Sequence, residues 1–404
     1  MTEYNASPAA VLGLAADAGE TVEEMTTGWR LAVRGPRPTT CPAGGGTRWH
    51  RHGRLPARAV AHTWGGETPV QVAWTPQRYR CVACHHVTQA RPLQLAAWQR
   101  WAAAAQTAAL SRLRRDSFRG VATVLGVGVG RLRRLVDRVV ALEDDTWWDL
   151  PGDLVLSIEE ASFRGTDLCI TIALRAPARR MLTILADDRI ATLDAWLARI
   201  PTSVRARIRG GCIDMKVAYA NALRRACPRV GVLVDPFHII QDATARVNEA
   251  RRLEQNLTKK TIRRWPLIKG VENLRPRQQE ALAQIQTTYP ALGQLHRLKE
   301  DLRTLIHASD LTAATAQLNR WLINAEACDD AEGYKWAQTL RRWRPALLAR
   351  WQLAQPFTNG YIEGCHTKIK SQKRQSYGFR NRDRYRRKML LGFRPPIQIP
   401  QGLT

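Results

Sequence analysis

The 404-residue chain has no apolar run long enough to cross a bilayer, no N-terminal secretory core and no disulfide framework. Its most apolar helical stretch, AAWQRWAAAAQTAAL, is broken by Gln99 and Arg100 and reads as a helix of a soluble body. Eight cysteines scattered along the chain do not make a staple pattern, so a cytosolic, nucleoid-associated protein with no membrane partner is expected. Acid is also scarce: 35 Asp and Glu face 62 Lys and Arg, a formal net charge of +27. A clustered cationic excess of that size favours a nucleic-acid partner, because each phosphate neutralised releases a counterion. Internal repeats and low-complexity segments are absent too. What is present, 45% hydrophobic and 24% charged residues, is the composition of a globular chain.

Residues 1–38 form an N-terminal segment with no strong signal beyond a short helical stretch, SPAAVLGLAADAG. Residues 39–95 combine CPAGGGTRWHRHG, strand-like alternation in TPVQVAWTPQRYRC, and CVACHH. The spacing of Cys81 and Cys84 lets two thiolates reach one tetrahedral zinc ion. Cys41 is the third candidate ligand. A second Cys-x-x-Cys would need cysteine where Gly44 stands, so the fourth ligand falls among His50, His52, His62, His85 and His86, with His50 foremost. Residues 96–145 contain a helix-turn-helix pattern: Ser117 as N-cap, the small pair Ala122 and Gly126 at the turn, and Leu132 packing back. Its second helix carries Arg131, Arg133, Arg134 and Arg138, suited to a DNA groove or phosphates.

From residue 150 the texture changes. Three apolar strand-like runs, LVLSI, DLCITIAL and RRMLTILADD, are followed by helix, strand, helix, strand and helix up to about residue 245, a mixed α/β order. Residues 246–355 are helical by pattern, with Trp265, Trp321, Trp336, Trp343 and Trp351 spread among Leu and Ala. Residues 356–404 hold NGYIEG and a basic tail. Between Lys368 and Lys388 that tail has ten Lys or Arg and one acid, Asp383.

Acids stand out by position. Glu159 and Glu160 are read at the end of a buried strand, Asp214 at the end of another, and Glu363 at the start of the helix after the helical segment. Reactive groups collect at strand ends in open α/β sheets. Convergent carboxylates suit magnesium or manganese, and two such ions about 3.5–4 Å apart serve phosphoryl transfer. Alternation sends Glu159 and Glu160 to opposite faces, so only one can join a cluster.

IEEASFRG, IDMKVAYANALRRACP, LVDPFHIIQDA and NGYIEGCHTKIKSQKRQSYGFRN together resemble the DDE-type transposases of the ISL-three insertion-sequence family, from Cys41 to about Arg394. The resemblance implies a multidomain α/β protein. A zinc-knuckle-like β module and helix-turn-helix would precede an RNase H-like mixed-sheet core interrupted by an all-α insertion. It implies magnesium- or manganese-dependent cleavage and strand transfer of double-stranded DNA, at element ends and target, by a homodimer. Asp214 and Glu363 match the second and third catalytic acids, and Glu159 stands where the family pattern has Asp. Asp235, His238 and Asn359 fall in family motifs as supporting residues. For Asp235 and His238 the alternative is an internal hydrogen bond closing a strand–helix turn. Lys368, Lys370, Lys373, Arg374, Tyr377 and Arg380 would hold the DNA backbone. The alternative function is a domesticated, catalytically weak relative that binds DNA sequence-specifically.

Overall fold

The computed structural model describes residues 19–26, 28–65, 68–89, 101–352 and 359–399. The helix expected at SPAAVLGLAADAG lies almost wholly outside them. Two compact units divide the chain: residues 1–142 with 369–404, and residues 143–368.

The first unit carries two small sheets. β1 (Gly19–Met25), β2 (Gly28–Val33), β4 (Arg58–Gly65) and β5 (Thr68–Trp74) form one in the order β1-β2-β5-β4. β3 (Trp49–Arg54), β6 (Gln77–Cys81) and β7 (Val87–Gln89) form the other. The pair β1 and β2 occupies sequence that offered no strong pattern; β2, with Leu31 and Val33 buried, pairs in parallel with β5, while β1 stays largely exposed.

Three helices follow: α1 (Ala103–Leu113), α2 (Phe118–Leu125) and α3 (Val129–Val139). Ser117 caps α2, its hydroxyl accepting from the Gly120 amide at 2.9 Å. Gly126 ends α2 at φ +62°, a left-handed position that favours glycine, and lets α3 turn back with Leu132, Leu135 and Val136 buried.

In the second unit, β8 (Leu154–Arg164), β9 (Asp167–Ala176) and β10 (Arg180–Ile184) make an antiparallel meander. α4 (Ile190–Arg199) and α5 (Thr202–Arg205) lead to β11 (Ile208–Ile213). α6 (Val217–Ala226) crosses to β12 (Gly231–Val234), and the sheet order is β10-β9-β8-β11-β12. β11 runs parallel to both β8 and β12. The helical part comprises α7 (Pro236–Thr258), α8 (Trp265–Ile268), α9 (Pro276–Thr288), α10 (Pro290–Leu305), α11 (Leu311–Glu326) and α12 (Ala331–Gln352). Of its tryptophans, Trp321 and Trp336 pack edge to face at 4.9 Å, and the Trp321 indole donates to Leu298 O at 2.7 Å. Trp265 departs from that pattern and is exposed.

α13 (Gly360–Gln375) carries Glu363 in its first turn, and α14 (Arg382–Leu391) follows. The unit boundary falls within α13, after Lys368. Among the described residues, no helix is long and apolar enough to cross a membrane.

Candidate active site

Strand register sets the level of the acids. β8 aligns Ile158 with Ile213 of β11, and β11 aligns Ile213 with Val234 of β12. The next residues of the three strands, Glu159, Asp214 and Asp235, therefore start from one row across the sheet. The strand-end reading of Glu159 and Glu160 needs correction: β8 continues to Arg164 because it hairpins into β9, so both lie mid-strand. Their alternation is as expected. Glu160 is taken by Lys216 Nζ and by the Tyr219 hydroxyl at 2.6 Å. Glu159, 8% exposed, turns to a different set of partners.

Glu159, His238 and Glu363 each bring a ligand atom within 4.8 Å of the others'. His238 Nε2 lies 3.2 Å from Glu159 Oε1, and its Nδ1 lies 3.2 Å from Gln241 Oε1. The hydrogen bond to Glu159 raises the His238 pKa, against the effect of burial. Burial raises the Glu363 pKa, helped by the charges of Asp235 and Glu159. Three carboxylate oxygens, Glu159 Oε2, Asp214 Oδ1 and Glu363 Oε1, are buried with no hydrogen-bond partner.

Asp214 is not in that group of three. It follows β11 directly and lines an open cleft of about 460 Å³ with Lys216, His238, Gln241, Thr339 and Trp343. Burial raises its pKa, and the Glu160 charge adds to this while His238 and Lys216 oppose it. His238 thus borders both the three-residue cluster and the Asp214 cleft.

Asp235 is 2% exposed and spends its oxygens on backbone. Oδ1 accepts from the Phe237 amide, capping α7, and Oδ2 accepts from the Asn359 amide, both at 3.2 Å. The Asn359 carbonyl accepts from the Glu363 amide at 3.0 Å. Asp235 therefore closes a strand–helix turn and also ties down the first turn of the Glu363 helix. Asn359 is fully buried.

Sequence reasoning missed His366 and Thr171. His366 Nδ1 sits 3.5 Å from Glu159 Oε2, and its Nε2 sits 2.7 Å from the Thr171 hydroxyl. Spacing could have flagged His366, three residues after Glu363 on one helix face. Thr171 was reachable only through the hairpin register that sets it opposite Glu159.

In the other unit, Cys41, Cys81 and Cys84 gather their sulfurs within 4.8 Å. The Cys84 amide, hydrogen-bonded to the Cys81 sulfur, is the main cause of a lowered Cys81 pKa. His50 stays outside. Its neighbour Trp49 is buried and pairs with Cys81, so alternation throws His50 to the exposed face. At Gly44, a Cβ would stand 3.1 Å from both Cβ and Sγ of Cys84.

The arginines of α3 divide. Arg131 lies over the Trp101 ring at 5.4 Å and Arg138 donates to Gln106, while Arg133 and Arg134 are exposed. In the tail, Lys368, Lys370, Arg374, Tyr377 and Arg380 are exposed and Lys373 is half-buried. The basic run then turns inward. Lys388 donates to Leu113 O and burial pushes its pKa down to about 8, and Arg387 donates to Val140 O. These two cations satisfy helix-end carbonyls, so the run does not form one solvated stripe.

A family model described as Transposase, of the ISL3 type of DDE transposases, matches residues 156–389. The transposase for insertion sequence element IS1001 of Bordetella parapertussis is 25% identical over 247 residues, 59% of this chain and 60% of that protein. The chain thus spans under two thirds of that relative's length. The transposase for insertion sequence element IS1557 of Mycobacterium tuberculosis (strain CDC 1551 / Oshkosh) is 24% identical over 346 residues, 78% of this chain and 72% of that protein. Among solved structures, the Drosophila P element transposase strand transfer complex matches with a TM-score of 0.43 and 12% identity. That match covers 74% of this chain and 92% of the other.

Proposed function

This chain belongs to the ISL3 family of DDE transposases, whose model spans more than half of it, and on that premise we propose that it cuts and joins DNA at the inverted-repeat ends of an insertion sequence. The observation that carries the reading is the approach of Glu159, His238 and Glu363 to within 4.8 Å, with three buried carboxylate oxygens lacking hydrogen-bond partners. Buried carboxylates without donors are costly unless a cation compensates them. The donor set therefore fits a divalent ion held by Glu159 and Glu363, with His238 at its edge and Asp214 contributing from the cleft. Such an ion supplies Lewis-acid polarisation of a phosphate oxygen and the charge that lets carboxylates face a polyanion.

The chain's own residues do the remaining work. Asp235 holds the first turn of α13, and so Glu363, against the β12–α7 turn that carries His238. Lys216 neutralises Glu160 beside the Asp214 cleft. Exposed Lys368, Lys370, Arg374 and Arg380, with Arg133 and Arg134 of α3, contact DNA phosphates, which fix register without reading bases. We read the five-stranded sheet as an RNase H-like core, supported by its antiparallel meander followed by two parallel crossovers. Residues 39–95 and 96–145 are read as DNA-binding modules. The first would be stiffened by zinc on Cys41, Cys81 and Cys84. Two element ends held together call for a homodimer.

The test is cleavage of plasmid DNA bearing the element ends, with Mg²⁺ or Mn²⁺. Nicking by the wild type, lost in Asp214→Ala and in Glu363→Ala, is expected. Specific binding without nicking would favour the second reading, a catalytically weak DNA-binding relative. That reading draws support from Asp214 standing outside the three-residue cluster and from Glu at position 159. If Glu159→Asp also failed to nick, the enzymatic reading would be overturned.

A further inference from the structure

We infer that the fourth coordination position at Cys41, Cys81 and Cys84 is supplied from outside the chain, by solvent or by a small thiol. The fold builds a second knuckle there and leaves glycine where that knuckle's second thiol would stand. The inference deepens the reading of the three thiols as zinc ligands and rests on it.

Two turns carry the argument. In the first, residues 41–46, the Gly45 amide donates to Cys41 O at 2.8 Å and the Cys41 amide to Gly46 O at 2.8 Å. In the second, residues 81–86, the His85 amide donates to Cys81 O at 3.1 Å and the Cys81 amide to His86 O at 2.9 Å. The same position of each turn is left-handed, Gly45 at φ +66° and His85 at φ +58°. A residue other than glycine is uncommon in that region, so at His85 the turn dictates the backbone. The two turns therefore match residue by residue, Cys41 with Cys81 and Gly44 with Cys84.

Gly44 faces the sulfurs, as this match requires. A Cβ on it would lie 3.1 Å from Cys84 Sγ. Cys41 Sγ and Cys84 Sγ are 3.4 Å apart. Tetrahedral zinc–sulfur bonds of about 2.3 Å set sulfurs about 3.8 Å from one another, so these thiols stand near the spacing a shared ion needs. Three vertices are then cysteine, and the fourth falls to a turn with no side chain to fill it.

No other side chain takes it up. Among the described residues, no histidine, aspartate or glutamate brings a ligand atom within 4.8 Å of all three sulfurs. His50, His52, His85 and His86 are exposed, and His62 is buried on β4, in the other sheet. Cys41 and Cys81 are buried while Gly44 and Cys84 are exposed, so the unfilled vertex lies on the solvent side. The space left there is that of a short thiol-bearing side chain. Thiolate is also a preferred zinc ligand, so a small thiol displaces solvent.

The test is Co²⁺ binding to the full chain, kept reduced with a phosphine and read in the near-ultraviolet thiolate-to-metal charge-transfer band. Cobalt on the Glu159 and Glu363 carboxylates contributes nothing to that band. 2-Mercaptoethanol should increase it saturably by about one third, the fraction that one thiolate adds to three. Gly44→Cys should start at the higher intensity and not respond. Gly44→Ala, which adds the Cβ without sulfur, should start at the wild-type intensity, separating a filled vertex from an altered turn. A wild-type band that 2-mercaptoethanol leaves unchanged or erodes overturns the open position. A band shifted by His50→Ala, His85→Ala or His86→Ala before thiol is added overturns it too, because an imidazole of the chain is then the fourth ligand. If no thiolate band forms at all, the zinc reading of the three cysteines has itself failed, which is a separate and distinguishable result.

Discussion

Replacing Asp235 by Ala probes how the site is assembled without touching the ion-binding cluster. Two backbone amides, of Phe237 and Asn359, each lose a carboxylate acceptor held at 3.2 Å. Loss of an N-cap costs about 1 kcal/mol. A buried amide left without a partner costs about 1–3 kcal/mol more. Against this, the substitution removes a carboxylate whose burial already raises its pKa. We expect a net loss of about 2–3 kcal/mol in unfolding free energy. The loss should appear in urea titration followed by tryptophan fluorescence, since tryptophans pack throughout the core of that unit. Mn²⁺ affinity should fall as well, because the Asn359 amide anchors the turn whose carbonyl accepts from Glu363 N–H. Asp235→Asn keeps an acceptor for Phe237 but sets an amide NH₂ or a turned side chain against Asn359, so it should lose stability too. A stability loss under about 0.5 kcal/mol for Asp235→Ala would refute the capping account. A large stability loss with unchanged Mn²⁺ affinity would refute the link to Glu363.

Burial raises the pKa values of Glu363 and Asp214, so the metal-free native state holds protons that the unfolded chain has released. Stability should therefore fall as pH rises from about 4.3, the ordinary glutamate value, through the raised native values. Glu363→Gln should flatten that fall, and an unchanged pH profile of urea unfolding would contradict it. Divalent-ion binding should release protons, read as a dependence of calorimetric heat on buffer ionisation enthalpy; buffer-independent heats would argue against these carboxyls as ligands. Gly44→Cys should raise zinc affinity at least about tenfold in competition with a chromophoric chelator, by completing a four-thiolate set. Unchanged affinity would place the fourth position elsewhere. Alanine at Lys370, Arg374 and Arg380 together should flatten the slope of log binding constant against log salt by about 3, at roughly 0.9 for each phosphate no longer neutralised. An unaltered slope would remove them from the DNA interface.

Much of the local structure was legible because it is written within a few residues. Ser117 caps α2, Gly126 ends it, and Asp235 caps α7, each through hydrogen bonds or dihedral needs inside one turn. The alternation separating Glu159 from Glu160 and the strand, helix, strand, helix order after residue 150 were legible for the same reason. Other features depended on partners that no local pattern names. β2 looked featureless because its place in a sheet comes from β5, about forty residues further on, and β1 because it is largely exposed and pairs with β2 alone. The extension of β8 past Glu160 came from its hairpin with β9. His50 was separated from the thiols by its register against Arg80.

The sequence by itself determined the inventory: a cationic chain, two thiols at knuckle spacing, acids read at two strand ends and at the start of a late helix, and a motif set resembling one transposase family. Only the tertiary structure decided which of these meet. It joined Glu159 to His238 across 79 positions and Asp235 to Asn359 across 124. It brought Thr171 to His366 across 195. It also turned Asp214 into a neighbouring cleft and buried Lys388. The physical reason is range. Caps, turns and alternation are settled by dihedral and hydrogen-bond needs within a few residues. Convergence of distant side chains follows from sheet order, strand register and the packing of α13, which minimise the burial of unpaired polar groups over the whole unit at once.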